Sequence, residues 1–186
     1  MIKLDWDSFY KNGYMTFNSP ELFEHLEKPL SRTRWIRFPM LREGMSYRIP
    51  LNKFVYRKPM KNSSELIFER VFSKITSYKE SEYRHIWNGT DDKSCEWHND
   101  YIEGSNVSVL MYYSDVKEDV GGELMMRKLP SRTITGIHRP SKYDVVVFSQ
   151  ERMWQHRVAH FLDSSMERIT VNFGFNIPEL SHGFDN

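Results

Sequence analysis

Polar and apolar residues alternate along Arg168 to Phe175. Arg168, Thr170 and Asn172 fall on one face, and Ile169, Val171, Phe173 and Phe175 fall on the other. Side chains on a strand repeat every two residues, so this run predicts a strand with one apolar face. Seven strand-like runs precede it: Tyr83 to Trp87, Glu96 to Asp100, Val107 to Tyr113, Gly122 to Lys128, Thr133 to His138, Val145 to Phe148 and Trp154 to His160. Turn residues separate them, as at Asn88-Gly89, Gly104-Ser105 and Gly121-Gly122,. So many short strands in succession predict a jelly roll or a barrel.

Helical patterns come earlier. Asp5 to Asn12 reads as a short helix stopped by Gly13, with a strand at Tyr14 to Phe17,. Ser19 can cap a second helix whose first turn takes Pro20 and which runs to about Leu26,. From Arg34 to Arg57 short strands are broken by Pro39, Gly44 and Pro50. Ser63 or Ser64 caps the clearest helix, to Tyr78, where Ile67, Val71 and Ile75 form a stripe beside Phe68 and Phe72,. Helices first and strands later predict a mainly β core with flanking helices, not alternating βαβ units. The 186 residues suit a single domain, 1–186,. It would have an N-terminal helix and strand region over about 1–82, a β core over about 83–176 and a short C-terminal tail.

Composition narrows the setting. No run approaches the roughly 18 apolar residues that span a bilayer. The opening Met1-Ile2-Lys3-Leu4-Asp5-Trp6-Asp7 has early acids and lacks the apolar centre of a secretory leader,. A single cysteine, Cys95, cannot form an internal disulfide, so a reducing cytosol is the expected compartment,. Charge is unevenly spread. Residues 28–61 hold ten Lys or Arg and one acid, whereas residues 79–123 hold eleven acids and four bases. Either the two stretches meet in the fold or the basic one takes an anionic partner, such as an acidic peptide or a small acidic substrate. Its bases are interleaved with Trp35, Phe38, Tyr47, Phe54 and Tyr56, a mixture that can also hold phosphates and stack bases,. No tight nucleic-acid binding is expected at physiological salt.

The chemistry concentrates in Trp97-His98-Asn99-Asp100. His98 and Asp100 share a face if the strand persists through both. Fifty-six residues after Asp100 comes His156. Two imidazoles and one carboxylate on one side of a metal leave the other side open, which suits non-heme Fe(II) that activates oxygen. His-x-Asp alone is common by chance, so the third ligand matters. His156 lies between two strand-like runs, and His160 is its nearest rival. Arg168 follows His156 by twelve residues. In an ordinary sheet its polar face meets water. In a barrel with a ligand cavity that face lines the pocket, where the guanidinium fork suits a carboxylate.

Together these residues resemble the Fe(II)- and 2-oxoglutarate-dependent dioxygenases, nearest the prolyl-hydroxylase-like branch. The family pattern is His-x-Asp, a distant His and then an Arg or Lys, matched here by His98, Asp100, His156 and Arg168. Val107 to Tyr113, Gly121-Gly122-Glu123-Leu124 and His156-Arg157-Val158 also match, so the resemblance covers roughly residues 83–176. The interval from His156 to Arg168 is longer than usual. From His160 it would be too short, and the Arg-Val that follows also favours His156.

The resemblance implies a double-stranded β-helix (jelly-roll) core with Fe(II) held by His98, Asp100 and His156. 2-Oxoglutarate would chelate the metal, and its far carboxylate would meet Arg168 with help from Tyr113. Leu124 and Val158 match positions that line the cosubstrate, and Asn172 shares the Arg168 face. The implied reaction splits O₂, converts 2-oxoglutarate to succinate and CO₂, and hydroxylates a C–H bond. The substrate would be a peptide or protein side chain or a small molecule. Two other readings are a β-barrel binding module with a decayed metal site and a cupin-like metalloenzyme without cosubstrate. Retention of all three ligand types argues against decay, and a cosubstrate-free enzyme has no need of Arg168 in the pocket.

Overall fold

The computed structural model describes residues 4–24, 35–39, 46–50, 65–72, 79–80, 86–88, 97–99, 105–159 and 169–181. In chain order the elements begin with helix α1 (Trp6–Asn12), strand β1 (Tyr14–Asn18), helix α2 (residues 20–24), β2 (Trp35–Pro39), β3 (Ser46–Pro50) and helix α3 (residues 65–71). They continue with β4 (Lys79–Glu80), β5 (Ile86–Asn88), β6 (Val107–Tyr112), β7 (Leu124–Lys128), β8 (Thr133–His138), β9 (Asp144–Ser149), β10 (Trp154–Val158), β11 (Ile169–Asn176) and α4 (Pro178–Ser181). No helix of the described residues is long and apolar enough to cross a membrane.

The large sheet runs β1-β9-β6-β11-β4, with β5 also paired to β11. The small sheet runs β10-β7-β8, and β2 and β3 form a separate hairpin. All these pairings are antiparallel. The large sheet is buried on both faces. One face carries Met15, Val109, Met111, Val147, Val171 and Phe173, which join Phe9, Phe23, Ile67 and Val71 from the three N-terminal helices and Phe72 just after the third. The other carries Leu110, Tyr112, Val146 and Phe148, which meet Leu124 and Met126 of the small sheet. Two sheets closing on a shared interior, with helices bracing the larger one, make a double-stranded β-helix.

The local causes are visible at the N-terminus. A seven-residue helix such as α1 is too short to hold itself in water,. Its ends are therefore satisfied by other groups. Asp5 Oδ1 accepts from Ser8 N at 2.9 Å, and the N–H of Gly13, at φ 83°, donates to the Phe9 carbonyl. Full burial of Phe9, worth about 1.5–3 kcal/mol, anchors the helix to the core,. Gly13 cannot be replaced freely, because a Cβ there would sit 2.5 Å from the Trp154 ring. Tyr14 lies across Gly136 of β8, where any Cβ would collide with its ring. Burial pushes the Tyr14 phenol above its ordinary range.

Sequence and structure differ in three places. The strand expected over Glu96 to Asp100 is, across residues 97–99, a single bridge between His98 and His156. Asn99 takes the Trp154 carbonyl with its side chain, an acceptor that a continuing ladder would use. The expected C-terminal tail includes the short helix α4, whose Leu180 is buried. A two-residue strand, β4, pairs with the end of β11. Within the α3 stripe Ile67 and Val71 are fully buried, whereas Ile75 lies outside the described residues. Of the basic stretch 28–61, the described part is the β2–β3 hairpin, where Arg37 is registered against Arg48.

Candidate metal and cosubstrate site

β10 brings the first imidazole into the interior. Its burial alternates, with Trp154, His156 and Val158 buried and Gln155 and Arg157 partly exposed. His156 is 6% exposed, and the Phe148 ring lies 4.8 Å from its ring, edge to face. The second imidazole arrives by backbone pairing. His98 N donates to the His156 carbonyl at 3.0 Å, and His156 N donates to the His98 carbonyl at 2.9 Å. Directly opposed residues in such a pair project to the same side, and the two ring centroids are 4.4 Å apart. The turn before β10 is tied to the same segment, since Asn99 Nδ2 donates to the carbonyls of Glu151 and Trp154, each at 2.9 Å.

The cosubstrate candidates divide between faces. Leu124 and Val158 are cross-strand partners, both buried. Asn172 is 2% exposed and registered against Leu110 on the inner face. Tyr113 is not with them. Its ring packs edge to face on Phe23, 4.7 Å between centroids, against the helix-side core. The tyrosine on the inner face is Tyr112, opposite Thr170. Asp100, His160 and Arg168 lie outside the described residues. Among the described residues no three metal-ligating side chains gather, so the site there consists of the two imidazoles.

These residues fit a metal with an anionic companion. A pair of adjacent imidazoles supplies two nitrogen ligands of the kind iron accepts. Thr170 Oγ1 and Asn172 Oδ1 are buried and, among the described residues, have no hydrogen-bond partner. Unpaired buried polar atoms are costly, and a polar ligand entering the interior would satisfy them. Sequence patterning placed Thr170 and Asn172 on one polar face, and the resemblance singled out Asn172 but not Thr170. Both missed Asn99, for which no sequence signal exists.

No curated protein matches the chain. Among solved structures, the fold is similar to that of an oxidoreductase of the 2OG-Fe(II) oxygenase family from Burkholderia pseudomallei. That pair has a TM-score of 0.66 and 13% identity, covering 91% of this chain and 88% of that one. A prolyl hydroxylase from Trichoplax adhaerens, in complex with a peptide fragment of the hypoxia inducible factor oxygen degradation domain, has a TM-score of 0.63. It is 15% identical, with 93% and 87% of the two chains covered. HygX from Streptomyces hygroscopicus, solved with nickel, 2-oxoglutarate and hygromycin B bound, has a TM-score of 0.62. It is 11% identical over 93% of this chain and 86% of that one. At such identities the likeness establishes the fold. The family model of the 2OG-Fe(II) oxygenase superfamily matches residues 82–176, just over half of the chain, including strands β5 to β11 and the two imidazoles. The chain therefore belongs to the 2OG-Fe(II) oxygenase superfamily, whose members use Fe(II), 2-oxoglutarate and O₂.

Proposed function

We propose that this protein is an active Fe(II)- and 2-oxoglutarate-dependent hydroxylase. The carrying observation is the doubly hydrogen-bonded pairing of His98 with His156, which sets their imidazoles 4.4 Å apart inside the roll. In this reading His98, Asp100 and His156 hold Fe(II), and Asn99 keeps the first of them in register with β10. Arg168 takes the far carboxylate of 2-oxoglutarate. Thr170 and Asn172, on the same face, offer it a hydroxyl and an amide. Leu124 and Val158 wall the cosubstrate with apolar surface and exclude water, which strengthens every polar contact inside. Tyr113 was matched to the cosubstrate by resemblance, and Tyr112 is the better-placed tyrosine. When bound, the metal and cosubstrate supply the oxidising power that breaks a substrate C–H bond, with release of succinate and CO₂.

The substrate in this reading is a peptide or protein side chain, as in the prolyl hydroxylase complex, or a small molecule, as in the hygromycin complex. The single Cys95 accords with a cytosolic setting,. Anaerobic Fe(II) with 2-oxoglutarate should give a weak visible charge-transfer band. His98→Ala, Asp100→Ala and His156→Ala should abolish it, and His160→Ala should keep it. Arg168→Ala should bind iron normally but need far more 2-oxoglutarate. A wild-type chain that gives no band would return the protein to the decayed or cosubstrate-free readings. A band lost in His160→Ala and kept in His156→Ala would reassign the ligand.

A further inference from the structure

The small sheet has a second face, turned away from the interior. Cross-strand pairing sets Gln155, Arg127 and Ile134 in one row and Arg157, Met125 and Ile137 in the next. The guanidiniums of Arg127 and Arg157 both lie over the Trp97 ring, 4.4 and 4.9 Å from its centroid. Arg132 stands exposed in the β7–β8 turn nearby. Among the described residues no carboxylate pairs with these three arginines. Arg127 donates instead from Nε and Nη2 to Gln155 Oε1, and Arg157 Nε donates to Met125 Sδ. Partial burial pushes the Arg127 guanidinium below its usual range, and the charges of Arg132 and Arg157 push the same way. Ile134 and Ile137 are 48% and 59% exposed, and among the described residues only Tyr10 joins them as an exposed large apolar side chain.

Like charges gathered without a counter-ion repel, and an anion relieves that repulsion. Arginine and tryptophan are also the side chains that interface cores favour. The kind of anion follows from the rest of the face. A polynucleotide needs open aromatic faces for its bases. Trp97 is already engaged by two guanidiniums, and two isoleucines offer nothing to phosphate. A peptide can use both features, since its carboxylates fit guanidinium forks and its apolar side chains cover the isoleucines. We propose that the outer face of the β10-β7-β8 sheet docks an acidic polypeptide segment whose carboxylates alternate with apolar side chains. The surface is built on the chain segments that carry the imidazoles, since Trp97 precedes His98 and Arg157 follows His156.

The test needs neither metal nor cosubstrate, so it stands apart from the catalytic reading. A fluorescein-labelled peptide of alternating Glu and Leu is titrated with the full chain by polarisation. The same peptide with Gln for Glu and a labelled oligothymidylate are run beside it. The Glu peptide should bind, weaken with added salt, and outcompete both others. Arg132→Glu with Arg157→Glu should weaken it by about tenfold or more. Ile134→Ser with Ile137→Ser should weaken it about threefold, through lost apolar contact. Lys117→Glu, an exposed base elsewhere, should change affinity by less than about twofold. Melting curves confirm folding. If the Arg157 variant does not fold, Arg132→Glu alone and the isoleucine pair carry the test. The proposal is overturned by absent binding of the Glu peptide, by tighter binding of oligothymidylate, by indifference to the arginine and isoleucine changes, or by an equal loss in Lys117→Glu.

Discussion

Asn99 separates the two candidate ligands of the His-x-Asp segment, and its amide nitrogen holds the carbonyls of Glu151 and Trp154, each at 2.9 Å. Asn99→Ala deletes both bonds, worth about 0.5–1.5 kcal/mol each and about 1–3 kcal/mol together. The same change removes Oδ1, which is buried without a partner among the described residues. An unsatisfied buried acceptor costs about 1–3 kcal/mol, so its removal works in the opposite direction. The two effects offset, and global stability should change by no more than about 1 kcal/mol, or about 2–4 °C in melting temperature. Metal affinity should respond more. The two bonds fix residues 97–99 against the turn that opens β10, and thus fix His98 relative to His156. Losing about 1–2 kcal/mol of that preorganisation weakens binding about 5–30-fold, at a decade per 1.4 kcal/mol. Asn99→Asp keeps the size but brings only acceptors to two carbonyls, and should not restore affinity. The assay is an anaerobic Fe(II) titration in the presence of 2-oxoglutarate, with calorimetric melting alongside. An Asn99→Ala protein that melts like wild type and binds Fe(II) within about twofold of it would refute the clamp. A wild-type protein that binds no Fe(II) would instead refute the metal reading itself.

Two further outcomes are expected. Gly13→Ala combines a left-handed backbone, about 1–2 kcal/mol, with overpacking against Trp154, about 1–3 kcal/mol. The sum is about 2–5 kcal/mol in urea unfolding, and a change near zero would mean that the indole moves aside without cost. Tyr14 sets an alkaline limit. Its folded pKa lies above 10.0, so the folded chain keeps a proton that the unfolded chain loses. The associated stability is full below pH 10.0 and is lost as pH climbs through the raised value,. Tyr14→Phe should therefore flatten the fall in urea midpoint above that pH, and parallel curves for the two proteins would count against the assignment.

How far the sequence could be read depends on what each strand faces. In β11 the alternation of Thr170 and Asn172 with Val171 and Phe173 revealed the strand and its faces. It suggested water for the polar face if the sheet were ordinary, yet Thr170 and Asn172 are as buried as their apolar neighbours, because the roll closes over them. In β6 every residue from Val107 to Tyr112 is buried, Ser108 included, so no exposed position marks the phase. Two adjacent tyrosines follow, and only the structure tells that Tyr112 turns inward and Tyr113 toward Phe23. Periodicity made the pairing of His98 with His156 conceivable, and the family resemblance singled out His156 over His160. Asn99 leaves no trace in any pattern, since its role depends on carbonyls of residues far along the chain.

The recognised family span starts at residue 82, but the large sheet does not. Its end strand is β1, paired along Tyr14 to Asn18 with the Val-rich β9. Stripped of that partner, Val145-Val146-Val147-Phe148 would become an open apolar edge, the kind of surface on which chains add to one another. Gly13 would no longer close over Trp154, two residues before His156 in the same strand. The N-terminal segment thus serves as the fold's guard against self-association. A fragment cut to residues 82–176 would keep His98, Asp100, His156 and Arg168 in its sequence and still be expected to aggregate before it could bind iron.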